Sequence, residues 1–325
     1  MILAGDIGGT KTVLALFEKS VEGLLTCTKE QTFASAEFND FDDILTVFLT
    51  DDITLESACF GVAGAVVNQR CQTTNLPWLL DAQLLKSKLN TAKIKLLNDL
   101  EAMALGMLYL DSDDFVELNP QAQTQLGNIA VIAAGTGLGE AILYWDGEHY
   151  HPMATEGGHC DLAPQTLEQD QLLLYLRHKF PGHVSWERVL SGIGFSHLYD
   201  FLCETGVVLP CPIVSGINDK QIDRNAVISR LGVSGEDAAC YQAVRLFAEL
   251  YGAEAGNLAL KSLALGGVYI GGGIAPKIRS VVEAGVFMQA FTAKGRFQAL
   301  LAKTSVKLAL NANAPLIGAS HYFDR

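Results

Sequence analysis

Three apolar runs of this chain break into glycine-rich turns, and the first two resume at once as further apolar runs. Ile2-Leu3-Ala4 leads into Gly5-Asp6-Ile7-Gly8-Gly9-Thr10-Lys11, and then into Thr12-Val13-Leu14-Ala15-Leu16-Phe17. The run after the turn is β-branched and aromatic with no polar face at helical spacing, so it predicts a strand. The same order returns as Ile129 to Ala134, then Gly135-Thr136-Gly137-Leu138-Gly139, then Glu140 to Trp145. An internal repeat of strand, Gly/Thr turn and strand has to be weighed before any single motif. The third run, Gly267-Val268-Tyr269-Ile270, ends in Gly271-Gly272-Gly273, with Pro276 where a first helical turn tolerates proline.

Between these turns the hydrophobic period alternates. Strands are predicted near Leu24 to Phe33, at Ala58 to Val62 and at Lys93 to Leu97, with helices near Phe41 to Leu49, Asp81 to Leu89 and Leu100 to Leu108. This alternation reads as an α/β unit. A second unit starts at Ile129 and carries helices near Leu167 to Lys179, Trp186 to Cys203, and Glu236 to Leu263. Ser234 with Asp237 three residues on has the spacing of a capping box for the long helix. Tyr241, Val244, Phe247, Leu250, Tyr251 and Leu258 mark its apolar face, a core stripe. The polar stretch Asp111 to Gly127 is the expected boundary between the units.

The first turn is not a nucleotide-binding P-loop. A Walker A sequence needs glycine just before its lysine, and that position holds Thr10, whose Cβ blocks the close backbone approach the loop requires. What remains is either an ordinary glycine-rich turn or a hairpin that presents amides and a hydroxyl to an anion. The second copy favours two turns that hold a polyphosphate from two sides. The Gly271-Gly273 turn is open in the same way: a plain strand-to-helix turn, or backbone bare enough for a flat adenine ring.

Composition narrows the partners. At 325 residues the chain has room for two domains, and 49% hydrophobic with 18% charged residues describes an ordinary globule. A net charge of -13 argues against a nucleic-acid partner. No basic n-region precedes the first strand, so no signal peptide is expected. Leu258 to Ile274 is too interrupted, by Lys261 and glycines, to span a membrane. Seven scattered cysteines without a C-x-x-C pair fit free thiols in a reducing cytoplasm.

Several polar residues stand where chemistry is expected. Asn98-Asp99 ends a strand and opens a helix, where open α/β folds gather ligands; Asp99 is also a fitting helix cap. Glu156-Gly157-Gly158-His159-Cys160-Asp161 sets a carboxylate and an imidazole on a flexible turn, and adjacent side chains that point apart make a zinc site there a poor fit. Glu187 lies in a first helical turn, where it also complements the helix dipole. Spread acids, amides and imidazole suit a polyhydroxyl ligand, each of whose hydroxyls donates and accepts.

The ordered blocks GDIGGTKT, GVAGAV, TTNLPW, LNDLEAMALG, AAGTGLGEA, EGGHCDLAP, ERVLSGIG and GGVYIGGGIAPKI resemble those of the bacterial-type glucokinase family, in the hexokinase and actin-like ATPase superfamily. They run from residue 3 to about 277, and Ala314-Pro315-Leu316-Ile317-Gly318-Ala319 is similar to the start of the family's C-terminal helix. The resemblance implies two actin-like (ribonuclease H-like) α/β domains with an interdomain cleft: residues 1–109 plus 310–325, and 110–309. It further implies ATP- and Mg2+-dependent phosphorylation of D-glucose at its 6-hydroxyl, entering glycolysis, by a cytoplasmic homodimer without nucleic-acid or membrane partners. Asp99 matches the general base, and Asn98, Glu156, His159 and Glu187 match the groups on the other hydroxyls. Asp6, Gly8, Gly9 and Thr10 match the first phosphate loop, Gly135, Thr136 and Gly137 the second, and Gly271, Gly272 and Gly273 the adenosine edge; Asp6 is the candidate magnesium carboxylate, direct or through water.

Two other readings stand beside this one. A kinase of the ROK branch, acting on another hexose or an N-acetylhexosamine, would typically carry a cysteine-rich zinc motif after the E-G-G-H block, where only Cys160 is found. A non-catalytic sugar sensor would need the sugar-facing residues but not Asp99 and both phosphate loops.

Overall fold

The computed structural model describes residues 1–50, 53–73, 76–219 and 221–324. Thr74 and Asn75 of the TTNLPW block therefore lie outside the described residues. The first strands are β1 (Ile2–Ile7), β2 (Lys11–Lys19) and β3 (Leu25–Ala34), followed by α1 (Phe41–Phe48) and β4 (Ser57–Val62). Then come β5 (Arg70–Gln72), β6 (Leu79–Asp81), α2 (Ala82–Leu89), β7 (Lys93–Asn98), α3 (Asp99–Gly106) and β8 (Phe115–Glu117). The middle of the chain forms β9 (Ile129–Ala134), β10 (Leu138–Trp145), β11 (Tyr150–Ala154), α4 (Leu167–Lys179), α5 (Gly194–Glu204) and α6 (Pro212–Ser215). The rest forms α7 (Arg224–Ser234), α8 (Ala238–Ser262), β12 (Gly267–Gly271), α9 (Arg279–Glu283), α10 (Val286–Thr292), α11 (Gln298–Leu301), β13 (Val306–Ala309) and α12 (Ala314–His321).

The chain divides into two compact units, one of residues 1–114, 148–154 and 311–325, the other of 115–147 and 155–310. In the first, the sheet order is β3-β2-β1-β4-β7. β1 and β2 form the expected antiparallel hairpin, and β1, β4 and β7 run parallel. Strands covered on both faces read as unbroken apolar runs, and Ser57–Val62 is buried at every position. Leu3, Ile7, Leu14, Phe41, Phe48 and Phe60 form the core beneath them. The register aligns Ile7 with Val62 and Val62 with Asn98, so Asp6 and Asn98 stand at the carboxyl ends of parallel strands in one sheet.

In the second unit the strand order β10-β9-β12-β13-β8 repeats the plan: an antiparallel hairpin whose first strand is followed by parallel neighbours. The expected polar boundary Asp111 to Gly127 contains β8, which pairs antiparallel with β13. Helix α8 is the spine of this unit, with Phe247, Leu250, Tyr251 and Leu258 among its buried residues, as its stripe predicted. Tyr241 departs from that stripe and is 39% exposed.

Two helix boundaries differ from the sequence reading. The cap of α8 is Asp237, whose Oδ1 accepts from the Cys240 N–H at 2.9 Å. Ser234 instead ends α7, which stops at Gly235 with φ +72°. α7 itself was not anticipated because Ile228 and Leu231 are its only large buried side chains, too few to register as a helical stripe. The predicted helix from Trp186 to Cys203 is a short 3-10 turn, Trp186–Arg188, and then α5. It breaks at Ser191-Gly192 because the Gly192 N–H is committed to the Gly135 carbonyl at 2.8 Å.

Candidate active site

In the first unit, the turn after β1 is a hairpin closed by the Gly8 N–H donating to the Lys11 carbonyl at 3.0 Å. Ser35 braces it: its Oγ donates to the Gly8 carbonyl at 2.8 Å and its N–H to the Thr10 carbonyl at 3.1 Å. Gly9 and Thr10 are thereby held at the tip, with Thr10 exposed. Asp6 lies just inside the hairpin; burial pushes its carboxyl above the ordinary range, against the opposing charge of Lys11.

Asn98, not Asp99, caps α3. Its Oδ1 accepts from the Leu100 N–H at 2.9 Å, and Glu101 closes the capping box by accepting from the Asn98 N–H at 2.9 Å. The Asn98 oxygen also accepts from the Glu101 N–H, which engages both of its lone pairs, and the amide nitrogen donates to the Gly64 carbonyl at 3.2 Å, so a second amide hydrogen is what Asn98 can offer a ligand. Asp99 is the first helical residue, half-buried, with Oδ1 accepting from the Leu100 N–H at 2.9 Å.

In the second unit three separate segments meet at the end of β9. The Gly135 N–H closes the second hairpin on the Gly137 carbonyl at 2.8 Å. The Gly192 N–H reaches the Gly135 carbonyl, and the Ile274 N–H reaches the Ala134 carbonyl at 3.3 Å. Gly272 has φ +81°, and a Cβ there would overlap the Ala134 carbonyl, so only glycine lets the third turn lie this close. Beside this junction is a cavity of about 520 Å³, lined by Gly192, Phe195, Ile274 and Lys277, and by Asp223, Asn225 and Ser229 at the start of α7. Asp223 caps α7 through the Asn225 N–H, and Asn225 accepts from the Ser196 hydroxyl at 2.6 Å. These α7 residues were missed from sequence; Asp223 ahead of Ile228 and Leu231 is the one signal that marked a helix start there.

The turn Gly157–His159 follows Glu156, and Glu156 and His159 are both exposed. Its exit is tied to the Glu187 segment: the Trp186 N–H donates to the Cys160 carbonyl at 3.0 Å and the Leu162 N–H to the Val184 carbonyl at 2.9 Å. Glu187 is half-buried in the 3-10 turn, and its Oε2 accepts from the Leu138 N–H at 3.0 Å. The structure thus brings Glu156, His159 and Glu187 to neighbouring turns of one unit, beside the Gly135–Gly137 hairpin.

Cys160 and Asp161 do not complete a metal site with His159; Asp161 pairs with His183 at 2.8 Å. Among the described residues, ligand atoms within 4.8 Å of one another occur at Cys211, Asp237 and Cys240. Burial, reinforced by Asp237, pushes the Cys240 thiol well above its ordinary range. Cys240 therefore reads as a thiol beside a helix-cap carboxylate rather than as a thiolate awaiting a metal.

The sequence model described as Glucokinase matches residues 3–325. The chain belongs to the glucokinase family. A Nostoc glucokinase is 40% identical over 334 residues, covering 98% of each chain. The crystal structure of a glucokinase from an Antarctic psychrotroph superposes with a TM-score of 0.86 at 32% identity, covering 100% of this chain and 99% of that one. A ROK family glucokinase from Streptomyces griseus, in complex with glucose and AMPPNP, shares the fold at a TM-score of 0.67 and 18% identity, over 99% of this chain and 98% of that one. The glucokinase fold is that of two-domain, actin-like sugar kinases. Among the described residues no helix is long and apolar enough to cross a membrane.

Proposed function

We propose that this hexose-phosphorylating kinase transfers the γ-phosphoryl group of ATP to the 6-hydroxyl of D-glucose. The observation that carries the reading is the junction of the Gly135–Gly137 hairpin, Gly192 and the Gly272–Ile274 turn beside a cavity large enough for a nucleoside. A bare glycine backbone next to an apolar cavity suits a polyphosphate that continues into a base. This supports a nucleoside triphosphate over inorganic polyphosphate. Nostoc glucokinase and the two glucokinase structures point to glucose as the acceptor.

Asp99 is the base that accepts the proton of the attacking hydroxyl. Because phosphoryl transfer passes through a loose transition state, that proton leaves late, and orientation of the hydroxyl matters more than a raised pKa. Asn98, Glu156, His159 and Glu187 hold the remaining hydroxyls. Gly8, Gly9 and Thr10, and Gly135, Thr136 and Gly137, present backbone and hydroxyl donors to the phosphates, and Gly271 to Gly273 border the adenosine.

Magnesium fits the donor set. Mg2+ takes one or two carboxylates and fills its other positions with water and substrate phosphates, and Asp6, destabilised as an anion by burial, gains from a nearby cation. Asp6 would hold it directly or through water, and when bound it neutralises charge on the transferring phosphoryl group.

A coupled assay with ATP and Mg2+ against glucose, mannose, fructose and N-acetylglucosamine, run beside Asp99→Ala, tests the proposal. Formation of glucose 6-phosphate by the wild type and its loss in the variant are expected. Binding of glucose without turnover would point to a sensor, and preference for N-acetylglucosamine to a ROK-like specificity.

A further inference from the structure

The turn that carries Glu156 and His159 rests on a buried acid that phosphoryl transfer does not use. Glu140, on β10, is 1% exposed. The Thr155 hydroxyl donates to its carbonyl at 2.8 Å, and the Gly157 N–H donates to that same hydroxyl at 3.1 Å. A Cβ at Gly157 would overlap Oε2 of Glu140, so the turn lies directly on the carboxyl. The other oxygen, Oε1, is sealed from solvent and has no hydrogen-bond partner among the described residues.

Behind Glu140 stands Glu254 of α8, fully buried, held by Lys261 Nζ at 3.0 Å and Asn257 Nδ2 at 2.7 Å. Asn257 in turn accepts from Lys294 Nζ at 2.7 Å. Glu254 thus has one cationic and one amide donor, and neither reaches Glu140. Burial, and then the Glu254 charge, push the Glu140 carboxyl up to about 8. Burial beside a second acid therefore favours the protonated form of Glu140. The titratable groups facing Glu140 are Glu254, Lys261 and Tyr251, all of α8; Cys160 and Lys294 act on Lys261 and Glu254.

We infer that Glu140 is a positioning residue for the sugar: its buried carboxyl, braced on α8 through Glu254, is the floor that sets where Glu156 and His159 stand. The inference rests on the reading that those two side chains bind sugar hydroxyls. A buried carboxyl whose Oε1 is reached by no donor among the described residues is costly as an anion, and its side chain hydrogen-bonds to Glu254, which links strand to helix. When the proton leaves, two anions face each other under the turn, and the floor is pushed toward the sugar.

The test measures glucose KM and kcat at saturating nucleotide, and glucose Kd by calorimetry, from about pH 6.5 to about 9.5, spanning the titration. Full-length wild type, Glu140→Gln and Glu140→Ala are compared. Expected are a wild-type KM and Kd that rise at least about fivefold above pH 8 with kcat changing less, a flat profile in Glu140→Gln, which keeps the shape but cannot ionise, and raised values at every pH in Glu140→Ala. A wild-type profile retained by Glu140→Gln, or an unchanged Kd in Glu140→Ala, would overturn the inference; Glu140→Gln decides alone if Glu140→Ala does not fold. If the wild type phosphorylates no sugar yet binds glucose, the kinase reading fails and the Kd profiles still decide; if it binds no glucose, both fall.

Discussion

The Glu187 carboxylate accepts the Leu138 N–H at 3.0 Å, and so ties a proposed sugar ligand to the strand that leaves the second phosphate hairpin. One oxygen is fixed by the backbone. On the proposed reading the other faces a sugar hydroxyl, and one side chain then sets both the acceptor and the donor subsite.

Glu187→Gln should raise glucose KM much more than it lowers kcat. A hydrogen bond to a charged group is worth about 1.5–3 kcal/mol, which corresponds to roughly a ten- to hundredfold change. Steady-state kinetics check this; an unchanged KM would leave Glu187 as a brace for Leu138 alone.

Asp99→Ala should lower kcat by about 10²–10⁴, the usual range for a lost general base. Its melting temperature should stay within about 2 °C of wild type, because Asn98 and Glu101 retain the capping box of α3. A large fall in stability would show that Asp99 holds the helix start after all. Calorimetric melts run beside the kinetics separate the two.

Glu101→Ala is the complementary case. It removes the partner of the Asn98 N–H and should cost about 0.5–2 kcal/mol of stability, the range for a lost cap. Urea unfolding measures that loss. The Asn98 amide would still be held by Gly64, so glucose KM should change less than in Glu187→Gln.

Gly272→Ala should weaken nucleotide binding without moving glucose Kd. The left-handed backbone and the overlap with Ala134 force the third turn away from β9, at a cost of at least about 1 kcal/mol. Nucleotide KM and glucose calorimetry on the same preparation test this, and an unaltered nucleotide KM would remove the Gly271–Gly273 turn from the donor site.

Stability should also depend on Glu140 with a definite sign. Its folded-state pKa, about 8, lies above the unfolded value near 4.5, so the native state binds the extra proton between them. The stabilisation is present below the lower value and is lost as pH rises toward 8. Lys294, depressed to about 8 by burial, acts in the opposite direction above that pH. Melting temperatures from about pH 5 to about 8 should fall less steeply in Glu140→Gln than in wild type; equal slopes would place the proton elsewhere.

Much of this was legible because it rests on local rules. Both hairpins announced themselves by apolar runs around Gly/Thr turns, and the α8 stripe by its period, with Tyr241 alone leaving it. The helix starts were less legible, since Ser234, Asp237, Asn98 and Asp99 all suit a cap and only backbone geometry chooses among them. The Trp186–Cys203 region reads as one helix until Gly192 is drawn off by Gly135, a partner 57 residues earlier. Glu140 was equally hidden: in sequence it is simply the first polar residue after a glycine turn, and its burial depends on Glu254 and Gly157, neither of which any local pattern links to it.

The meeting of Gly135, Gly192 and Ile274 at the end of β9 has a kinetic consequence. Hydrogen bonds that join segments so distant along the chain require large loops to close first, and such contacts form slowly. The donor site should therefore be among the last features to appear when the second unit folds. A fluorescent nucleotide analogue added during refolding would then light up after helix signals have recovered, acting as a clock for completion of the unit.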